Sequence, residues 1–216
     1  RKHGDDELSH YAKEGFGTYD VEYKFPFTAP DFGELEGIAH RGDFDLTQHQ
    51  EHSGQKMEYI DPYDNKNRYI PHVIEPAAGA DRTVLAFICN AYNEETVANE
   101  KGKEETRVVM KFHPRIAPYK VGVFPLLKNK PELVAKAREV CNLLRPHMAV
   151  FYDEGGAIGR RYRRQDEIGT PYCLTVDFET LDDQQVTVRD RDTMYQVRIP
   201  ISNLPTVLQD KLEHGW

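Results

Sequence analysis

The stretch "YKVGVFPLLKNKPELVAKAREVCNLL" (Tyr119–Leu144) sets the architecture. It opens as a short apolar strand and continues as an amphipathic helix. Pro131 suits the helix's first turn, and Leu133, Ala137, Val140, Cys141 and Leu144 recur on one face. Outward from it, "HMAVFYDE" (His147–Glu154) reads as a second strand. "GAIGRRYRRQDEIGTP" (Gly156–Pro171) reads as a basic helix stopped by Gly169 and Pro171, and "YCLTVDF" (Tyr172–Phe178) as a third strand. Strand, helix, strand, helix, strand predicts an α/β unit with a mixed, mainly parallel sheet. "QQVTVRDRDTMYQVRIPIS" (Gln184–Ser202) adds a hairpin, and "SNLPTVLQDKL" (Ser202–Leu212) a final helix capped by Ser202. No Gly-rich phosphate fingerprint follows the first strand, so this unit need not bind a nucleotide.

Upstream the pattern differs. "YDVEYKFPF" (Tyr19–Phe27) alternates as a strand does, and "GELEGIAHRGDFDLTQHQEHSG" (Gly33–Gly54) holds a strand and then a polar helix. "MEYIDP" (Met57–Pro62) and "RYIPHVIEP" (Arg68–Pro76) extend the strand theme. "ADRTVLAFICNAYNEE" (Ala80–Glu95) sets Val84, Leu85, Phe87, Ile88 and Tyr92 near helical spacing and predicts a buried helix. Strands followed by one helix suggest an antiparallel sheet with a helix laid on it. Between the halves, "NEETVANEKGKEETR" (Asn93–Arg107) is almost wholly polar and reads as a linker or exposed helix end. The expected domains are therefore 1–103 and 104–216.

At 216 residues, 39% hydrophobic and 30% charged, the chain can bury a core and stay in solution. No run is apolar enough to span a membrane, and "RKHGDDELSHYAKEGFG" (Arg1–Gly17) is no secretory signal. Its start, without Met and directly in a polar segment, suggests a piece of something longer. Cys89, Cys141 and Cys173 are odd in number and far apart; they read as reduced core residues of a cytoplasmic protein. A net charge of −8 opposes a bulk grip on nucleic acid but leaves room for a local basic patch.

Four constellations carry chemistry. In "IEPAAGADRTVLAFICNAY" (Ile74–Tyr92), Arg82 falls on the first turn of a helix. There its planar fork, aided by the positive helix end, suits a phosphate. Gly79 lets another group come close to the backbone, and Glu75 suits an ammonium group. A cap, a turn and a local ion pair would equally explain this pattern. Glu34, Glu36, Asp43 and Asp45 alternate with apolar positions, so their acids are expected on one strand face, where they could meet magnesium or only solvent. "HQEH" (His49–His52) has tolerable metal spacing but lacks a third ligand. Arg160, Arg161, Arg163 and Arg164 around Tyr162 suit RNA phosphates and a stacked base, or a solvated face paired with Asp166 and Glu167.

Together "YKFPF", "GELEGIAHRGDFDLTQHQEHSG", "YIPHVIEPAAGADR", "HPRIAPYKVGVFPL" and "GAIGRRYRRQDEIGTPYCLTVD" make the chain resemble, over nearly its whole length, the homodimeric type of glycyl-tRNA synthetase, a class II aminoacyl-tRNA synthetase. The first three words are specific to the glycine enzymes. The last two are similar to the anticodon-binding domain shared by the glycine, histidine, proline and threonine enzymes. The resemblance implies the C-terminal half of such an enzyme: part of a class II antiparallel sheet with its helix, then an α/β anticodon-binding domain.

It implies site residues too. "GADR" is similar to class II motif 3, with Gly79, Ala80, Asp81 and Arg82 at ATP. Glu34 and Leu35 would lie on the ATP side, with Glu34 near Mg2+. Glu75, Pro76, Ala77, Ala78 and Gly79 would line the glycine pocket, Glu75 facing the ammonium. Arg160, Arg161, Arg163 and Arg164 would face tRNA(Gly). The implied reaction is ATP-dependent formation of glycyl-adenylate and transfer to tRNA. It depends on positioning and electrostatics, without a covalent nucleophile. Two departures stand out. Ala77 occupies a position where the family usually has Ser. Motif 1, which builds the homodimer interface, and motif 2, with its α-phosphate arginine, are missing. The fragment alone is therefore expected to be inactive. The alternatives are a non-catalytic synthetase-like paralogue serving as an RNA-binding subunit and a synthetase for another amino acid of the subclass. The retained Glu34, Glu75, Gly79 and Arg82 speak against the first, and "GELEGIAHRGDFDL" against the second.

Overall fold

A computed structural model describes residues 1–8, 17–64, 66–98 and 102–215. The chain forms two compact units, Arg1–Cys89 and Asn90–Trp216.

The first unit is built on a three-stranded antiparallel sheet. Its strands are β1 (Thr18–Tyr23), β2 (Gly33–Gly42) and, after helix α1 (Phe44–Ser53) and a small hairpin β3 (Tyr59–Ile60)–β4 (Arg68–Tyr69), β5 (Val73–Ala78). The order is β1-β2-β5, so β2 is central. Gly42 ends β2 at φ +62°, a conformation that other residues adopt at a cost, and the register with β5 slips there. Helix α1 stops at Gly54, whose N–H donates to the Gln50 carbonyl. Beyond β5, Gly79 leads into α2 (Ala80–Ala91), and the Gly79 carbonyl accepts from Thr83.

Helix α2 exists as its spacing predicts, but it is not buried. Ala86 and Ala91 are covered, whereas Val84, Leu85, Phe87 and Ile88 are 38–56% exposed. Tyr92 lies past its end. Periodicity registers an apolar face; burial needs a partner for that face.

In the second unit the polar stretch read as a linker is an antiparallel hairpin, β6 (Tyr92–Ala98) with β7 (Glu104–Met110), paired from Tyr92↔Met110 to Ala98↔Glu104. The expected boundary at 103/104 falls inside it. Val109 is fully buried and Arg107 nearly so. Arg107 pairs with Glu95 across the hairpin and with Asp166 outside it, so charge here marks pairing rather than a solvated linker. Next come β8 (Val121–Pro125), α3 (Pro131–Leu144), β9 (Val150–Tyr152), α4 (Ile158–Ile168) and β10 (Tyr172–Val176). A short α5 (Phe178–Asp183), β11 (Gln185–Asp190), β12 (Gln196–Pro200) and α6 (Leu204–His214) complete the unit.

The sheet order is β12-β11-β10-β8-β9, parallel across β9, β8 and β10 and antiparallel beyond. Leu133, Ala137, Val140, Cys141 and Leu144 of α3 all reach the core, as their spacing predicts. They meet Val121, Val123, Leu174 and Val176 there. Sequence reading missed α5, where Asp177 and Thr180 cap each other reciprocally: the Thr180 N–H donates to Asp177 Oδ1, and the Asp177 N–H to Thr180 Oγ1. Ser202 does not cap α6. It lies in a 3-10 turn, Ile201–Asn203, and its hydroxyl donates to Asn203 Oδ1.

Candidate functional site

The site of the first unit depends on one irregularity. Between β1 and β2 the register passes from Val21↔Glu36 to Glu22↔Glu34, so Leu35 is an extra residue, a β-bulge. Bulges re-aim side chains. Glu34 thereby joins the face of Gly37: a Cβ at Gly37 would stand 3.5 Å from Glu34 Oε1 and 3.9 Å from Asp20 Oδ1. Gly37 opposes Ala77, and Ala39 opposes Glu75. Three carboxylates, Glu34, Asp20 and Glu75, thus border a floor made of Gly37, Ala39 and Ala77, with no side chain larger than methyl. Neighbouring residues of a strand face opposite ways, so Glu36, Pro76 and Ala78 lie on the reverse face. The four acids expected together are therefore separated. Asp43 precedes α1 as its N-cap, without a side-chain capping bond, and Asp45 lies in the helix's first turn.

Arg82 reaches back to this edge from the first turn of α2. Its Nη1 donates to the Glu34 carbonyl at 2.6 Å, which brings together two of the six residues expected at ATP. Ala80 and Asp81 share its exposed first turn, and the Gly79 carbonyl also accepts from the Thr83 hydroxyl.

Sequence reading missed Arg41. Its Nη1 donates to Glu75 Oε2 at 2.7 Å, while Nε and Nη2 hold both oxygens of Asp45 at 2.5 and 3.0 Å. The only signal for it was its place four residues before Asp45. The Arg41 hydrogen bond holds the Asp45 carboxyl below its usual range. Glu75 is thus an anchored carboxylate. His49 and His52 are exposed on α1, and no group of three His, Cys, Asp or Glu able to hold a metal occurs among the described residues.

In the second unit the arginine cluster of α4 is divided by the helix itself. Arg161, Gln165 and Asp166 face inward. Arg161 is 1% exposed and donates to the carbonyls of Pro125 and Gly156. It cannot touch RNA, so its expected role is corrected: it holds the end of β8 and the 155–156 turn. Burial draws its pKa down. Tyr162 is also structural. Its hydroxyl bonds Thr175 Oγ1 at 2.6 Å, Arg189 stacks 4.9 Å from its ring centre, and burial pushes its pKa up to about 12. Arg163 pairs with Glu105 at 2.6 Å, and Arg164 holds Asp153. Arg160 is exposed.

Beneath them Asp166 accepts from Arg107 Nε at 2.9 Å and from Arg189 at 2.9 and 3.1 Å. Arg107 also binds Glu95 and the Arg191 carbonyl, locking the β6–β7 hairpin onto α4 and β11. At the carboxyl ends of β8 and β10, Phe178 is 44% exposed with the Lys130 ammonium 6.0 Å from its ring. Connections leave β8 in one direction to β9 and return across it to β10, so this end is a topological switch point, where open α/β sheets receive ligands.

A small mixed sheet with such an end defines a class: residues 120–211 match the family described as "Anticodon binding domain". The chain as a whole is similar to proteins named glycine--tRNA ligase. It is 54% identical over 213 residues to that of Staphylococcus epidermidis, covering 99% of this chain and 43% of the relative. It is 51% identical over 211 residues to that of Thermobifida fusca, covering 98% and 45%. The Bacillus anthracis protein of the same name is 52% identical over 213 residues. The chain therefore spans less than half the length of these relatives, and over that span it is similar to proteins named glycine--tRNA ligase.

Proposed function

We propose that the chain is the C-terminal part of a glycine–tRNA ligase that activates glycine with ATP and transfers it to tRNA(Gly). The observation that carries this reading is the bulge at Leu35. It turns Glu34 to the face of Gly37, the face on which Ala39, Ala77 and Glu75 also lie. The floor of Gly37, Ala39 and Ala77 leaves room for an amino acid without a side chain, and the Glu75 carboxylate suits its ammonium. Arg41, itself held by Asp45, keeps Glu75 in place. Arg82 has donors for the ATP phosphates, with Gly79, Ala80, Asp81 and Leu35 beside it. Glu34 would meet Mg2+ carried by the nucleotide, whose phosphates supply the ligands that the protein alone lacks.

Catalysis here is electrostatic stabilisation of a developing pentavalent phosphate. It needs a second arginine on the α-phosphate from the rest of the enzyme, so the 216 residues alone are expected to be inactive. The whole enzyme is proposed to be a cytoplasmic homodimer; no helix of the described residues is long and apolar enough to cross a membrane. For tRNA the accessible groups are Arg160, Arg163, Arg164 and the Phe178–Lys130 end of the sheet, without Arg161.

Glycine-dependent ATP–pyrophosphate exchange by the whole protein tests the reading. Arg82→Ala and Glu75→Gln should each cut exchange at least about tenfold, the loss expected for one charge-assisted hydrogen bond. Wild-type exchange in both variants would refute it.

A further inference from the structure

The hairpin β3–β4 lies outside the site just described, and nothing in that site uses it. It has two residues per strand, too few to be stable alone. Its turn is nonetheless carefully made. Asp61 Oδ1 accepts the Tyr63 N–H at 2.8 Å, Asp64 Oδ1 accepts the Lys66 N–H at 3.1 Å, and the Asp61 N–H donates to the Asn67 carbonyl. What this turn presents is open to solvent. Tyr59 and Tyr69 are cross-strand partners with ring centres 5.5 Å apart, and both are exposed. Ile60 opposes Arg68 on the other face, and Tyr63 is 98% exposed.

The charges around these rings are unequal in their freedom. Asp61 and Asp64 turn their carboxylates onto backbone amides. Among the described residues, Lys56, Lys66 and Arg68 lie within ion-pair distance of no carboxylate, and Glu58 is the one further acid of the segment. Exposed aromatic faces with uncommitted cations beside them match unpaired RNA, whose bases stack and whose phosphates attract. They match a dry protein interface poorly, because the tyrosyl hydroxyls and cations would lose water without gaining partners. The hairpin is also tied to the site. Three residues, 70–72, separate β4 from β5, and Tyr69 is six residues from Glu75. Even fully extended, that span is about 20 Å.

We propose that the β3–β4 hairpin is a docking arm for the unpaired 3′ end of tRNA, with Tyr59 and Tyr69 as stacking rings and Lys66 and Arg68 on its phosphates. This rests on the ligase reading above. The acceptor end must come to the Glu34–Glu75 face to receive glycine, and the arm lies within reach of that face.

The test uses the whole ligase and an RNA minihelix consisting only of an acceptor stem and its unpaired 3′ end. Tyr59→Ala/Tyr69→Ala should raise KM for the minihelix at least about fivefold and leave glycine-dependent ATP–pyrophosphate exchange unchanged. Tyr59→Phe/Tyr69→Phe should restore KM, since the ring and not the hydroxyl stacks. Lys66→Gln/Arg68→Gln should flatten the salt dependence of KM. A wild-type KM in the double alanine variant would overturn the proposal. So would an altered sedimenting mass of that variant, which would make the patch a contact between copies. Absence of glycine-dependent exchange in the unaltered enzyme would instead remove the ligase reading itself.

Discussion

Asp166→Asn is the substitution whose cost follows most directly from the structure. The Asp166 side chain is 4% exposed, Arg107 4% and Arg189 8%, so the cluster lies away from water. Three N–H groups converge on the two carboxylate oxygens. An amide of the same shape offers one oxygen and turns an NH2 toward a guanidinium donor. Two cations then remain buried with only Glu95 close to Arg107. Breaking a buried pair by removing one partner costs about 3–5 kcal/mol. The Asn90–Trp216 unit has roughly 130 residues, which corresponds to about 0.27 kcal/mol per degree of unfolding entropy near 60 °C. Its Tm should therefore fall by about 11–19 °C. Differential scanning calorimetry of the chain measures this, with Arg163→Gln, which breaks a half-exposed pair, as the control expected to move Tm by about 2 °C or less. A shift below about 3 °C for Asp166→Asn would show that the cluster is not what clamps the hairpin to α4 and β11.

Three further outcomes are expected. Gly37→Ala should fold normally, because its Cβ would meet Glu34 Oε1 at 3.5 Å, an ordinary contact. It should nevertheless raise KM for glycine in the whole ligase by raising the floor; an unchanged KM would place the substrate elsewhere. Arg161→Gln should lower the Tm of the second unit, whereas Arg160→Gln should leave Tm alone. If Arg160 meets a phosphate of tRNA, that variant lowers the log–log salt slope of binding by about 0.7–0.9; a slope unchanged from wild type would exclude that contact. Burial pushes the Cys141 thiol up to about 11 and the Cys173 thiol higher still. At pH 8 about one Cys141 in a thousand would be thiolate, rising as pH approaches 11. Iodoacetamide followed by mass spectrometry should therefore label the half-buried Cys89 first, and equal labelling of Cys141 would contradict its burial.

The sequence by itself determined what depends on neighbours along the chain. Helical spacing located α3 and each of its five core residues, Gly169 located the end of α4, and the strand–helix alternation predicted the mixed sheet. The words around Glu34, Glu75 and Arg82 were enough to show a resemblance to the glycine enzymes, which the similarity to proteins named glycine--tRNA ligase supports. Only tertiary structure decided which side chains meet. Glu34 shares a face with Glu75 because Leu35 bulges, and a one-residue slip in register leaves no trace in composition. The polar stretch 93–107 became a hairpin because Arg107 finds Asp166, 59 positions away. Arg161 and Arg160 are adjacent and chemically identical, yet one is core and the other surface, since a helix turns 100° per residue and only the packed sheet defines its inner side. Local geometry is written in the order of residues; burial, pairing and the aim of a carboxylate depend on partners distant in that order.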